Sequence, residues 1–553
     1  MREAVPPRPA APTVLAAAAV TVALSGLLLP DLVRPRLDVS ALTPPAGRYH
    51  VRILRDRWGV PHVLGRSDPD VAYGLAWAHA EDDFRNIQDS LLATRGRLAS
   101  VYGHRFAASD YLVHLLRVWE VVEQGYDQRL APETRALLEA YAAGLNHYAA
   151  AHADEAVAEL YPVSGRDLVA GTVHKLPIFF GLDLVLRELM SGAPPAAGAV
   201  LGSNAFAVAP LRSADGRTRL LVNSHQPWEG PAAWYEAHLR SDAGWDAVGG
   251  LFPGSPVILH GHNRRLGWAH TVNFPDLVDV YRLQLDPADE RRYRFEGGWR
   301  ELEVRTVPLR VKLLGPLRWT FRRPASWSVH GPVLHTPHGA YALRIAGLGE
   351  VRQLEQWYRM NRARDYGEWS AALAMGALPM FNTVYADADG HVAYHYLAAL
   401  PQRPPGPDWS GTLPGDSAAL VWRDLLPFHL LPSVVDPPSG FVQNCNNTPF
   451  QTTAGPGNPD TAAYARVPGI ETHMSNRARR ALELLGGDAS ITAEEFEAYK
   501  FDVTYAGTSA VAGAWQRLAA ADPGGDALLG EALDVLRGWD LRAAPDSPAA
   551  ALA

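Results

Sequence analysis

Cysteine is almost missing from this chain of 553 residues: only Cys445 is present, so no intrachain disulfide can form. A lone cysteine of this kind reads as a small packed residue rather than a nucleophile. Positive charge is also short. The net charge is −8 with no long basic run, which argues against a nucleic-acid partner. No G-x-S-x-G elbow and no H-E-x-x-H pair occurs, so neither of those hydrolytic arrangements is signalled. His391 and His395 have ligand spacing for a helix, but they follow an Asp389-Gly390 turn on a strand and read as structural. There is no internal repeat. One long uncharged apolar run exists, Val14 to Leu29, behind Arg2 and Arg8 and closed by Pro30. Residues 1–30 therefore read as a signal peptide or a short signal anchor, and the product as exported, periplasmic or extracellular. Ala23-Leu24-Ser25 is only a fair cleavage site, so removal and retention at the membrane both stay open.

The remainder has the composition of a folded globular protein, 47% apolar and 20% charged. Its length suits one large core or about two to four domains. Val51 to Val63 alternates and turns near Trp58-Gly59, as a hairpin does. Asp70–Ile87, Pro132–Ala151 and Leu176–Met190 carry helical periodicity. Ser191 to Gly202 is small, flexible and uncharged, as a linker or an excisable spacer would be. Strands follow: Asn204–Pro210, a turn at Asp215-Gly216, then Thr218–Asn223. Gly250–Gly261, Gly267–Asn273 and Val278–Leu285 read as further strands, and Arg292–Val329 as an arginine-rich β excursion. Pro401–Pro438 reads as surface loop, and Ile491–Leu518 and Ala527–Leu536 as helices.

The junction Gly202-Ser203-Asn204 has the most chemical content. If the bond before Ser203 is cut, that serine carries a free α-amine beside its hydroxyl. An alkyl hydroxyl needs a positioned base to attack a carbonyl. An α-amine titrates near roughly 7.7–8.0 and can serve as that base at neutral pH. A turn at Asp215-Gly216 would return the chain so that His225 comes back toward Ser203.

Several motifs in order carry a resemblance. RDRWGVPHV and YGLAWAHAEDD precede the junction; GSNAFAVAP, LLVNSHQPWEGPAAWYEAHL, GLFPGSPVILHGHNRRLGWAHTVN, YADADGHVAYHY and FVQNCNNTP follow it. From about Val51 to about Asp540 the chain resembles the penicillin acylase family of N-terminal-nucleophile hydrolases, most of all its cephalosporin acylase and acyl-homoserine-lactone acylase branches. The resemblance implies an α/β (α+β) fold, a four-layer αββα sandwich with two antiparallel sheets between helical layers. It implies a precursor that cuts itself between Gly202 and Ser203 and becomes a heterodimer. Residues 31–190 would form a mostly helical α chain, 191–202 a spacer and 203–553 a β chain. Family β chains continue past the point matching Ala553, so this segment is expected to be C-terminally incomplete. The expected substrate is a small N-acyl amide, and no organic cofactor is implied.

The resemblance also assigns roles. Ser203 is the nucleophile, and Gly202 supplies the strained backbone of an internal acyl shift. His225 tunes the new amine. The Val272 backbone N–H and the Asn446 side-chain amide form the oxyanion hole, and Arg477 supports the site. Phe206, Trp228, Phe252 and Phe381 are candidates to line the acyl pocket. Asp276, Val278 and Asp279, with Glu188, stand where one branch of the family holds a calcium ion. A second reading remains: an uncleaved, inactive relative that binds acyl ligands as an exported protein.

Overall fold

Period-two alternation in Gly202–Val208 sets the layering. In the computed structural model, which describes residues 37–193, 202–315 and 317–553, this strand runs between Phe441–Asn444 and Arg219–His225 in a three-stranded antiparallel sheet. The proposed leader and nearly all of the proposed spacer lie outside the described residues. Ala205 and Ala207 point inward and pack with Ala269, Val384 and Val442. Phe206 and Val208 point outward and, with Leu221, Phe441 and Cys445, meet Ala478, Ala481 and Leu485 of helix Asn476–Gly487. Successive side chains on a strand face opposite sides, so one strand feeds two cores.

The inner face meets a nine-stranded sheet. Its order is Val51–Arg55, Pro61–Gly65, Tyr235–Ser241, Asp246–Leu251, His260–Asn263, Leu266–Thr271, Met380–Asp387, Val392–Ala398 and Ser433–Val435. The pairing is antiparallel except where Pro61–Gly65 runs parallel to Tyr235–Ser241. That parallel seam joins the early hairpin to the later chain. Helix Asp68–Thr94 covers the outer face, with Val71 and Leu75 in the same core as Ala237 and Leu239, and helix Pro132–Ala151 packs on that helix, burying Leu137, Leu138 and Tyr141. The first of these helices starts on a capping box in which Ser67 and Asp70 exchange hydrogen bonds. The stack is therefore helix, sheet, sheet, helix, as expected. The Arg292–Val329 excursion contains the hairpin Glu303–Leu314 and Leu317–Trp327 at the edge of a separate six-stranded sheet.

Three local expectations change. Leu176–Met190 is not one helix: Gly165–Phe179 stops, Gly181 takes a positive φ of 92°, and Leu182–Ser191 restarts at a 59° bend. Ile491–Leu518 divides into Ala493–Lys500 and Ala510–Ala519. Gly250–Gly261 is the end of one strand, a loop and the start of the next. His391 and His395 do not converge; His391 bonds Asp436 at 2.7 Å and His395 bonds the Tyr366 hydroxyl at 3.0 Å.

Candidate active site

Ser203 sits buried at the start of the middle strand of the small sheet and lines a cavity. Its Oγ donates to the Gly202 carbonyl oxygen at 2.8 Å, which sets the hydroxyl on the carbonyl of its own upstream peptide bond. Its backbone N–H donates to Asn446 Oδ1 at 2.6 Å. Asn446 Nδ2 donates to the Val272 carbonyl at 2.7 Å. Arg477 closes the ring: Nη1 donates to the Ser203 carbonyl at 2.7 Å and to the Asn204 side chain, and Nη2 to Asn446 Oδ1 at 2.9 Å. The register pairs Gly202 with His225 and Ser203 with Ser224.

Local sequence explains how these groups are held. Asn446 has φ 59°, a left-handed conformation that asparagine tolerates. Asn444 Oδ1 accepts from its backbone N–H at 2.9 Å, and Asn447 Oδ1 accepts from Cys445 N–H at 2.8 Å. Of the three asparagines in FVQNCNNTP, only Asn446 reaches Ser203. Ser475 caps helix Asn476–Gly487 by accepting from Ala478 N–H, and its hydroxyl donates to the Cys445 carbonyl at 2.9 Å. That cap places Arg477 in the first helical turn, against Ser203. Gly202 serves by being small. A Cβ there would lie 2.6 Å from Arg477 Nη2 and 2.9 Å from His225 Nδ1, and its φ is not positive. The expected reason for glycine, backbone freedom, thus gives way to space. Burial and the nearby Arg477 charge both hold His225 below its ordinary pKa, so it is neutral at pH 7. Burial lowers the Arg477 pKa as well. Burial pushes the Cys445 thiol up to about 12, which leaves it unreactive.

Ser203 opens into an apolar cavity walled by aromatic and aliphatic side chains. Trp234 stacks on Phe252 at 4.2 Å and on His260 at 4.1 Å, forming one wall. Val272 and Phe381 line the cavity with Ser203, and Phe381 has φ 128°, a strained value for an aromatic residue. Its N–H is held by Asn273 Oδ1 at 2.8 Å. Helix Gly165–Phe179 supplies the opposite wall through Leu168, Thr172, Leu176 and Phe179. The cavity is thus built from both sides of the Gly202–Ser203 junction.

Lys175 was not singled out from the sequence, yet it lines this cavity. Among the described residues it has no ion-pair or hydrogen-bond partner, and burial lowers its ammonium to about 8. His79 and His174 lie close, and burial together with the Lys175 charge lowers them to about 3 and about 4. No negative group balances the lysine. In sequence it stands inside an amphipathic helix, where a lysine reads as solvent-facing.

The penicillin amidase family model matches residues 50–553, nearly the whole described chain. The chain belongs to the penicillin amidase family. As a member of that family it is 28% identical to acyl-homoserine lactone acylase PvdQ of Pseudomonas putida, over 84% of this chain and 67% of that protein. It is 26% identical to aculeacin-A acylase of Actinoplanes utahensis, over 65% and 52% respectively. A structural match is the thermostable penicillin G acylase of Alcaligenes faecalis, with TM-score 0.52 and 26% identity, covering 62% of this chain and 59% of that one. This penicillin amidase family member spans about half to two thirds of the length of the curated relatives it matches.

Two expected pocket residues lie elsewhere. Trp228 is 98% exposed in the loop after Pro227, and its neighbour Gln226 is the one that lines the cavity. Phe206 faces helix Asn476–Gly487 because alternation from Ser203 sends it to the opposite side of the sheet. Phe252 and Phe381 do line the cavity. The residues expected to hold calcium gather on one groove, with Glu188, Asp276 and Val278 along it. A guanidinium already stands among them. Arg403, fully buried, lies 3.1 Å from Asp276 Oδ2 and 3.0 Å from the buried Asp279, and Trp422 Nε1 donates to Asp279 at 2.5 Å. The guanidinium occupies the position between the two carboxylates, with Asp279 Oδ1 and Arg403 Nη1 left without a hydrogen bond among the described residues, so the set as it stands does not fit a calcium ion on the same two carboxylates. Among the described residues no cluster of three His, Cys, Asp or Glu side chains is arranged for a metal.

Proposed function

We propose that this chain is an exported, self-processing amidase that removes an acyl group from an N-acyl amide. The observation that carries the reading is the position of Ser203 Oγ, 2.8 Å from the Gly202 carbonyl oxygen, on a residue that lines the apolar cavity. In the precursor, Oγ attacks the Gly202 carbonyl carbon. The C–N bond breaks, nitrogen takes up a proton, and an ester links Gly202 to Oγ. Water then hydrolyses that ester, leaving the Gly202 carboxylate and a free Ser203 α-amine. In the processed enzyme the α-amine accepts the hydroxyl proton as Oγ attacks the substrate carbonyl. The Asn446 amide and the Val272 backbone N–H stabilise the developing oxyanion. Asn446 and Arg477 hold the amine and the Ser203 carbonyl in register, and neutral His225 neighbours the amine without competing for its proton. The amine product leaves, water opens the acyl-enzyme, and the free acid departs.

The acyl group occupies the cavity between helix Gly165–Phe179 and the Trp234–Phe252 wall. The relatives' printed names, an acyl-homoserine lactone acylase and an aculeacin-A acylase, support an amide with an apolar acyl chain. Both segments flanking the cut line the cavity, which supports a heterodimer that stays assembled after processing. The leader-like run Val14–Leu29 supports export.

N-terminal sequencing and intact mass of purified protein test the reading. Two fragments are expected, the larger starting at Ser203, and Ser203→Ala is expected to give one uncut chain with no amidase activity. Wild-type protein that remains whole, or a Ser203→Ala variant that still cuts and turns over, overturns it.

A further inference from the structure

The hairpin Glu303–Leu314 and Leu317–Trp327 has a charge pattern opposite to that of the whole chain. It carries Arg305, Arg310, Lys312, Arg318, Arg322 and Arg323 against one acidic residue, Glu303, in a protein of net charge −8. The hairpin is anchored at both ends: beside the turn Arg318 donates to the Ser100 carbonyl at 2.8 Å, and toward the base Tyr111 donates to the Pro324 carbonyl at 2.9 Å, while Val307, Ala325 and Trp327 pack against Leu115. Only Ser326 and Trp327 pair onward into the sheet, so the rest of the hairpin stands clear of it.

Its apex is apolar and uncovered. Leu314 is 81% exposed and Leu313 52% among the described residues. One step back, Trp319 is 51% exposed opposite Val311, and Phe321 is part-exposed opposite Leu309. Arg322 and Arg323 are exposed and make no ion pair among the described residues. Two leucines at a narrow tip, an indole behind them and free guanidinium groups behind that form a graded series from apolar to cationic. A bilayer surface has the same series in complement: acyl chains, an interfacial zone that favours tryptophan, then anionic headgroups. A protein partner would need a broad face of roughly 1,000 Å² or more, and a tip of a few side chains does not provide one.

We infer that this hairpin is a membrane-contact element that inserts Leu313 and Leu314 into the headgroup boundary of an anionic lipid surface. The Trp319 ring then lies at the interface, while Lys312, Arg322 and Arg323 reach phosphate groups with their aliphatic stems lying along the apolar layer. The contact is reversible and salt-sensitive, because its apolar part is small and its charges stay near water. It does not depend on the leader segment or on the proposed amidase chemistry.

The test uses the full chain with Leu314→Cys labelled by an environment-sensitive NBD dye. Cys445 is buried, so the label reports the apex alone. Titration with phosphatidylcholine vesicles containing about one quarter phosphatidylglycerol is expected to shift the emission to the blue, with the effect reversed by salt. Pure phosphatidylcholine is expected to give much less. In the labelled chain, Arg322→Glu with Arg323→Glu is expected to weaken the response by about tenfold or more. A label at the exposed Leu528→Cys, remote in sequence, is expected to stay in water even if the leader tethers the chain. The inference is overturned by an apex label that ignores anionic vesicles, by equal shifts at both label sites, or by a charge-reversed variant that responds like the wild type. A blue shift that grows with protein concentration without lipid also overturns it, since a second copy would then cover the apex.

Discussion

Gly202 and Lys175 show how single side chains set the site's chemistry. Gly202→Ala is expected to fold, because the nearest atoms a Cβ would meet are movable side-chain ends, Arg477 Nη2 and His225 Nδ1. Displacing Arg477 breaks its bonds to the Ser203 carbonyl and to Asn446, so processing is expected to slow by tenfold or more, read as the rate of fragment appearance on gels. Lys175 is expected to restrain turnover of plain alkyl acyl groups while it is charged. Lys175→Met should raise kcat/KM for a medium-chain acyl p-nitroanilide several-fold at pH 7, by removing a cation from an apolar wall. In the wild type that handicap should fade as pH passes about 8, and the ratio of variant to wild type isolates it from titration of the Ser203 amine. The residues split in legibility. Ser203, Asn446 and Arg477 were found through motif resemblance, since positions more than two hundred apart have no periodic relation. Lys175 carried no motif, and only the burial of its helix face distinguishes it from an ordinary surface lysine.

Strand and helix faces were legible where a period runs unbroken, and misread where one residue interrupts it. The long face of Pro132–Ala151 is as the pattern requires, whereas strand Gly202–Val208 is buried on both faces. The break at Gly181 was hidden because apolar residues continue across it, and periodicity alone does not register a change of axis. The loop after Arg403 illustrates the same limit. Its Pro- and Gly-rich composition reads as surface, yet Arg403 itself is buried and ties strand Val278–Leu283 to this segment through Asp276 and Asp279. Arg403→Met is expected to destabilise the fold by about 3–5 kcal/mol, because Asp279 would remain buried without its partner. Chemical denaturation of the variant measures this. The wild type is expected to keep its melting temperature in EDTA. A large loss in EDTA would show that a metal, not the guanidinium, balances these carboxylates.

Acid stability is decided by groups spread through the whole molecule. Burial holds His79 at about 3 and His174, His260, His330 and His395 at about 4. Each binds its proton in the unfolded chain near pH 6.5 but not in the folded one, so stability falls as pH drops from about 6.5 to about 4. Asp110 and Asp276, raised by burial to about 6, act in the opposite direction between about 3.8 and 6. The histidines outnumber them, and the melting temperature is expected to decline steadily below pH 6.5 in a calorimetric pH series. A flat profile from pH 7 to 4.5 would contradict this assignment. At this scale the chain order already contained the class of fold, through motifs in sequence, and the sign of each strand's two faces, through local period. It did not contain which layer each face would meet. Phe206, expected to line the acyl pocket, shares a strand with Ser203, yet it belongs to a helix-facing core while Ser203 belongs to the cavity. Alternation separates two faces, but only contacts between distant segments decide what stands on either side.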